Sequence, residues 1–169
     1  IGVAGDGTQS FASEPLSNRP ATVVQFSGET VAMTSGEASY QPSEKLSGFT
    51  GNGFLELSRQ SAPVSVDIDV PETGVYTLSL RYANGNGPVN TENKAAIRTL
   101  TLDGSKAATM VMPHRGRGNW NDWGMSNLVT LPLEKGHHTL GLSYLEEDEN
   151  MNIGTNHALV DCIRIERVK

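Results

Sequence analysis

Strict alternation of apolar and polar positions marks the clearest elements of this chain. In residues 64–70, Val64, Val66, Ile68 and Val70 share one face while Ser65, Asp67 and Asp69 take the other. That period of two is the signature of a half-buried strand. Residues 75–83 alternate again, with Val75, Thr77, Ser79 and Arg81 on one side and Tyr76, Leu78, Leu80 and Tyr82 on the other. Shorter runs of the same kind predict strands over 22–26, 29–34, 53–58, 97–102, 107–112, 127–133, 138–144 and 158–168. Turn chemistry separates them: Pro71-Glu72-Thr73-Gly74, the hairpin pair Asp103-Gly104, and Lys135-Gly136. No segment carries a sustained helical period. Short strands at this spacing predict an all-β fold, a two-sheet antiparallel β-sandwich.

Residues 1–20 are rich in Gly, Ser, Asp, Asn and Pro without period, and read as a linker or tail. Residues 21–169 form the predicted domain. The 169 residues suit one domain, and no apolar run approaches the roughly 20 residues of a membrane-spanning helix. Net charge is −6 with no Lys/Arg cluster, which argues against a nucleic-acid partner, since phosphate neutralisation needs clustered cations. The chain opens without the basic and apolar pattern of a signal peptide, so such a segment is expected to be absent or already removed.

Catalytic chemistry finds little support. His114, His137, His138 and His157 show no zinc-ligand spacing, and no Gly-x-Ser-x-Gly elbow is present. Cys162 lies in an apolar run and reads as a small buried hydrophobe. The run Glu146-Glu147-Asp148-Glu149 reads as a solvated turn, with a weak calcium site as the sharper alternative. Arg81 and Arg98 are expected at a surface or rim. Both tryptophans fall in one short stretch, Asn119-Trp120-Asn121-Asp122-Trp123-Gly124. One of them is free to fill a core while the other faces a ligand.

Five segments in order resemble the family 35 carbohydrate-binding modules, and more loosely family 6. Residues 70–85, VPETGVYTLSLRYANG, are similar to that family's "V-P-x-x-G-x-Y-x-L-x-x-R-Y-A-N-G". Residues 47–54 resemble its "G-Y-x-G-x-G-F", 118–123 its "G-x-W-x-x-W", 133–140 its "L-x-x-G-x-N-T-I" and 160–165 its closing "I-D-x-I-x-V". The resemblance implies a jelly-roll sandwich of the galactose-binding-domain-like kind, with a sugar site in the loops at one end. It implies a non-catalytic module appended to a larger secreted or cell-surface bacterial enzyme, a glycoside hydrolase or polysaccharide lyase. The implied partners are a carbohydrate and the parent catalytic domain. Trp120 would stack on a sugar ring, Trp123 would be core, and Phe49 would form the second wall in place of a tyrosine. Asn84 would read hydroxyls. Leu159 stands where many members have a sugar-contacting asparagine, for which Asn156 would substitute. Glu29 and Asp161 would ligate a structural calcium, with Ser27 replacing a further glutamate. The alternative reading is a structural accessory domain that packs on its catalytic neighbour and binds no sugar.

Overall fold

Two long strands meet at the centre of the molecule: β4 (Gly74–Ala83) and β10 (Ala158–Arg167) pair antiparallel over almost their whole length. The computed structural model describes residues 22–25, 46–50, 54–58, 63–86, 95–116, 118–149 and 156–168. The far edge of β10 is shared by β1 (Thr22–Gln25) and β2 (Leu55–Leu57), and the far edge of β4 by β7 (Gly124–Met125) and β8 (Val129–Leu133). The second sheet runs β3-β9-β5-β6, from β3 (Val64–Val70), β9 (Gly136–Ser143), β5 (Ala96–Leu102) and β6 (Ser105–Met112). The predicted two-sheet antiparallel architecture is therefore the one observed. The predicted strand over 29–34 and the tail over 1–20 lie outside the described residues.

The alternation read in β4 sets the interior. Tyr76, Leu78, Leu80 and Tyr82 face inward and pack with Val160, Ile163 and Ile165 of β10. From the opposite sheet come Ile68, Val70, Leu100, Met110, Met112, Leu140 and Leu142. Each fully buried aliphatic side chain contributes about 1.5–3 kcal/mol. Both core tyrosines satisfy their hydroxyls at the rim, Tyr76 on the Glu72 carbonyl at 2.6 Å and Tyr82 on the Pro113 carbonyl at 2.9 Å. Cys162 is a buried free thiol whose pKa is raised, chiefly by burial.

Three details depart from the sequence reading. Gly124 and Met125 form a strand inside what was expected to be loop. Residues Glu146–Asp148 make a single 3-10 turn, and Asp148 is not solvated. Its carboxylate accepts the Thr99 amide at 3.0 Å, the Thr99 hydroxyl at 3.1 Å and the Leu145 amide at 2.8 Å. One acid of that run is thus a structural brace, because it meets three donors that would otherwise be stranded. Third, β10 carries a bulge between Val160 and Cys162, so that Asp161 and Cys162 together oppose Arg81. Val160 and Ile163 both face the core although three positions apart, which a regular strand cannot achieve. The bulge sends Asp161 to the outer face beside Arg81.

Short turns close the end of the sandwich that holds 71–73, 103–104 and 134–135. Asp103 (φ 51°) and Gly104 (φ 79°) form a two-residue hairpin turn with both central residues left-handed, as the Asp-Gly pair predicts. Asp103 then accepts His138 Nδ1 at 2.7 Å, while His138 Nε2 meets the Glu134 carbonyl at 2.9 Å. An imidazolium donates to both at once. The Asp103 hydrogen bond is the main cause of a raised His138 pKa, and the His138 hydrogen bond the main cause of a lowered Asp103 pKa. A raised histidine stabilises below its unfolded pKa of about 6.5 and loses that contribution as pH rises through its folded pKa. A lowered aspartate stabilises above its unfolded pKa of about 3.9 and loses that contribution as pH falls through its folded pKa. The contact is therefore worth most between those two values. Thermal melts of His138→Gln against the natural protein should show the largest gap near pH 5–6, shrinking as pH rises beyond the ordinary histidine value of about 6.5. A gap that widened with pH would refute the ion pair.

Candidate carbohydrate site at the loop end

The opposite end gathers residues 46–50, 84–86, 113–116, 118–123 and 156–157. Its foundation is Asn84-Gly85-Asn86, directly after β4. Asn84 Nδ2 donates to the Met112 carbonyl at 2.9 Å. Asn86 Nδ2 donates to Asn84 Oδ1 at 2.6 Å and to the His157 carbonyl at 2.8 Å. The Arg115 amide donates to the Asn84 carbonyl at 2.8 Å and the Gly118 amide to the Gly85 carbonyl at 2.7 Å. This tripeptide therefore grips β6, the tryptophan loop and the start of β10 together. Gly85 carries the indole of Trp120: a Cβ there would lie 2.8 Å from Nε1 and 2.9 Å from Cδ1 and Cδ2. Only glycine permits so close an approach.

Trp120 is consequently buried, 1% exposed, tilted against His157 with ring centroids 4.9 Å apart. It belongs to a satellite core with Phe54, Ala83 and Leu159, against which Leu46, Phe49 and Trp123 pack. The burial of the two tryptophans is the reverse of the expectation: Trp120 is buried and Trp123 is half-exposed. The physical reason is the glycine floor, which only Trp120 reaches. Asn84 (0% exposed) and Asn156 (1%), expected beside the sugar, are buried as well. Their amides serve the backbone within the loop end, Asn156 Oδ1 accepting the Ile97 amide at 3.2 Å. Leu159 fills the satellite core.

Trp123 and Phe49 lie on the outer face of β4. Trp123 Nε1 donates to the Ser47 carbonyl at 2.7 Å, and the Ser47 amide donates to Asn121 Oδ1 at 2.6 Å. Phe49 stands edge-on to Trp123 at 6.2 Å and to Phe54 at 5.2 Å. The Arg81 guanidinium lies 5.5 Å from the Trp123 ring centroid. Arg81 also pairs with Asp161 and donates to the Gly48 carbonyl at 2.9 Å. The Asp161 carboxylate, fully buried, additionally accepts the Thr50 amide at 2.9 Å and the Thr50 hydroxyl at 3.1 and 3.0 Å. The 46–50 loop is thus fastened to the sheet by an ion pair whose carboxylate is buried and whose guanidinium is half-buried.

That arrangement does not fit Asp161 as a calcium ligand. An ion at this carboxylate would have to displace a guanidinium already in contact with it. Among the described residues no three acidic, histidine or cysteine side chains are placed to hold a metal ion. Glu29, its expected companion, lies outside the described residues.

Two buried groups went unnoticed or misread in the sequence. Arg98, expected at the rim, is 2% exposed and donates to the carbonyls of Ile97 (2.7 Å), Ser58 (2.9 Å) and Asn156 (2.7 Å). Its guanidinium lies over Tyr144, and burial pulls its pKa down to about 10. It stays charged at neutral pH and ties three strand ends together. Glu56 and His157 face each other at 3.2 Å with both side chains 2% exposed. The odd charged residue in an otherwise apolar strand, Glu56 between Leu55 and Leu57, was the only signal.

No protein-family profile matches the chain. A solved family 35 carbohydrate-binding module from an environmental isolate superposes with a TM-score of 0.56 at 25% identity, over 73% of this chain and 80% of that one. The fold is that of a family 35 carbohydrate-binding module. A cycloisomaltooligosaccharide glucanotransferase from Paenibacillus, solved with cycloisomaltoheptaose, contains a region similar to this family 35 fold. There the TM-score is 0.57 at 26% identity, over 70% of this chain and 15% of the enzyme. A 1,6-alpha-glucosyltransferase of Sporosarcina globispora is 33% identical over 109 residues, 62% of this chain. The chain spans only 8% of that enzyme's length. The family 35 fold here thus matches small parts of larger carbohydrate-active enzymes. Among the described residues no helix is long and apolar enough to cross a membrane.

Proposed function

We propose that this domain binds carbohydrate without catalysis, at the loop end, and holds a larger secreted glycan-active enzyme on its polysaccharide. The observation that carries this reading is the clamped aromatic pair Trp123 and Phe49, half-exposed on a family 35 fold. An aromatic face suits a pyranose because the sugar's C–H groups are apolar and slightly positive while the ring face is negative. The clamps at Ser47 and Arg81 remove the ordering cost that a mobile loop would bring to binding. Two of the relatives are by name a 1,6-alpha-glucosyltransferase and a cycloisomaltooligosaccharide glucanotransferase, which supports an α-glucan as the first ligand to test, while others are by name a mannanase and a xylanase.

Titrating isomaltooligosaccharides against intrinsic tryptophan fluorescence tests it. A dissociation constant of ~10⁻³ to 10⁻⁵ M is expected, equivalent to about 4–7 kcal/mol. Trp123→Ala should weaken binding at least tenfold, about 1.4 kcal/mol or more. Absence of any response to α-glucan, mannan or xylan would end the proposal. It would favour the second reading, a structural domain that packs on its catalytic neighbour. The burial of Trp120, Asn84 and Asn156 supports that alternative, since it removes three polar or aromatic contacts from a ligand's reach.

A further inference from the structure

Among the described residues, the loop 46–50 and the tryptophan loop lie on the upper half of the outer face of the β4–β10 pair. Below Arg81 the face opens into a groove of about 230 Å³. Its floor is two rungs of the ladder, Ser79 opposite Arg164 and Thr77 opposite Glu166. Its wall is the connection from β7 to β8, with Met125, Ser126 and Leu128. Met125 is 41% exposed and Leu128 65%, so the wall presents bare apolar surface beside hydroxyls and a charge pair. Arg164 Nη2 and Glu166 Oε2 stand 3.6 Å apart at the rim, both partly open to water.

We propose that this groove is a second sugar site, separate from the loop end, taking one glucose unit of the same glucan chain. The inference rests on the glucan-binding reading above. A vicinal diol matches a guanidinium beside a carboxylate, one donating and the other accepting at neighbouring oxygens. The Met125 and Leu128 side chains supply the apolar surface that the sugar's C–H face requires. The volume lies below the roughly 300–1,000 Å³ of pockets for larger ligands, which suits a single ring. Position supports the assignment too: Met125 is the cross-strand partner of Arg81, so the groove continues directly from the Trp123 edge along one sheet face. Two weak sites on one chain would raise the hold on a polymer without tightening the grip on a short oligosaccharide.

The test uses the whole domain, labelled at methionine methyls and indole nitrogens, titrated with isomaltotriose. The Met125 methyl reports the groove and the Trp123 indole N–H reports the loop end. Both signals should move with different midpoints. Arg164→Ala should weaken the Met125 titration at least tenfold and leave that of Trp123 unchanged, and Ser79→Val should do the same by filling the floor. A silent Met125 beside a responding Trp123 overturns the groove and leaves the loop-end reading standing. So does a Met125 response that tracks Trp123 and ignores Arg164→Ala. Movement of Met125 alone supports the groove and removes the loop-end site. If neither signal moves, both proposals fall together.

Discussion

Trp120→Ala should cost the domain about 3–5 kcal/mol, the usual range for deleting a large aromatic from a packed interior. At about 2–4 °C per kcal/mol for a chain of this size, the melting temperature should fall by at least 6 °C or so. The cause is the indole's position: 1% exposed, seated on the Gly85 backbone and packed with Phe54 and Leu159. Gly85→Ala attacks the same contact from below. Its new methyl would sit 2.8 Å from the indole nitrogen, with backbone on one side and a rigid ring on the other. A cost of about 1–3 kcal/mol follows from overpacking. Trp123→Ala, at a half-exposed site, should destabilise less than Trp120→Ala while losing more sugar affinity. A Trp120→Ala domain that melted normally but bound no glucan would return Trp120 to the ligand and invert the present assignment. Thermal denaturation and fluorescence titration on the same samples decide it.

Arg81→Met is expected to be nearly as damaging, by about 3 kcal/mol. It keeps the aliphatic bulk and removes the charge. Asp161 would then be a fully buried carboxylate without its counter-ion, and the Gly48 carbonyl would lose its donor. The hydrogen bonds from Thr50 soften the loss, which places the expected value at the lower end of the usual range for a broken buried pair. Adding Asp161→Asn removes the stranded charge, so the double variant should be more stable than the sum of the singles predicts. Additive losses would mean that the two side chains do not act as a pair. Because the pair fastens the 46–50 loop, Arg81→Met should also weaken sugar binding through Phe49, even though the guanidinium need not touch the ligand.

The contrast between these two sites shows where sequence reading works. Period-two alternation in β3 and β4 identified both strands and the inward set Tyr76, Leu78, Leu80 and Tyr82, because side chains of a strand must alternate across it. The Asp103-Gly104 pair announced its hairpin, because few residues tolerate two left-handed positions in succession. The bulge at Asp161 went unread, since only the burial of both Val160 and Ile163 reveals it. The two tryptophans were harder. Nothing local distinguishes Trp120 from Trp123, since both lie in a polar, glycine-flanked stretch. What separates them is a glycine 35 positions earlier that happens to lie beneath one of them. The same holds for Arg98 and Asp148, whose charge argues for the surface until three strand ends and a turn deliver the carbonyls and amides that satisfy them.

By itself, then, the sequence determined most of the described strands and the sandwich, because these follow from short-range periodicity and turn chemistry, while five ordered motifs carried the family resemblance. Only the tertiary structure decided which tryptophan is buried, what Asp161 is paired with, and where a groove stays open. Those depend on segments far apart in the chain meeting at one end or on one face. The energy of such meetings, a ring on a bare backbone or a charge against a distant partner, leaves no mark in the local pattern.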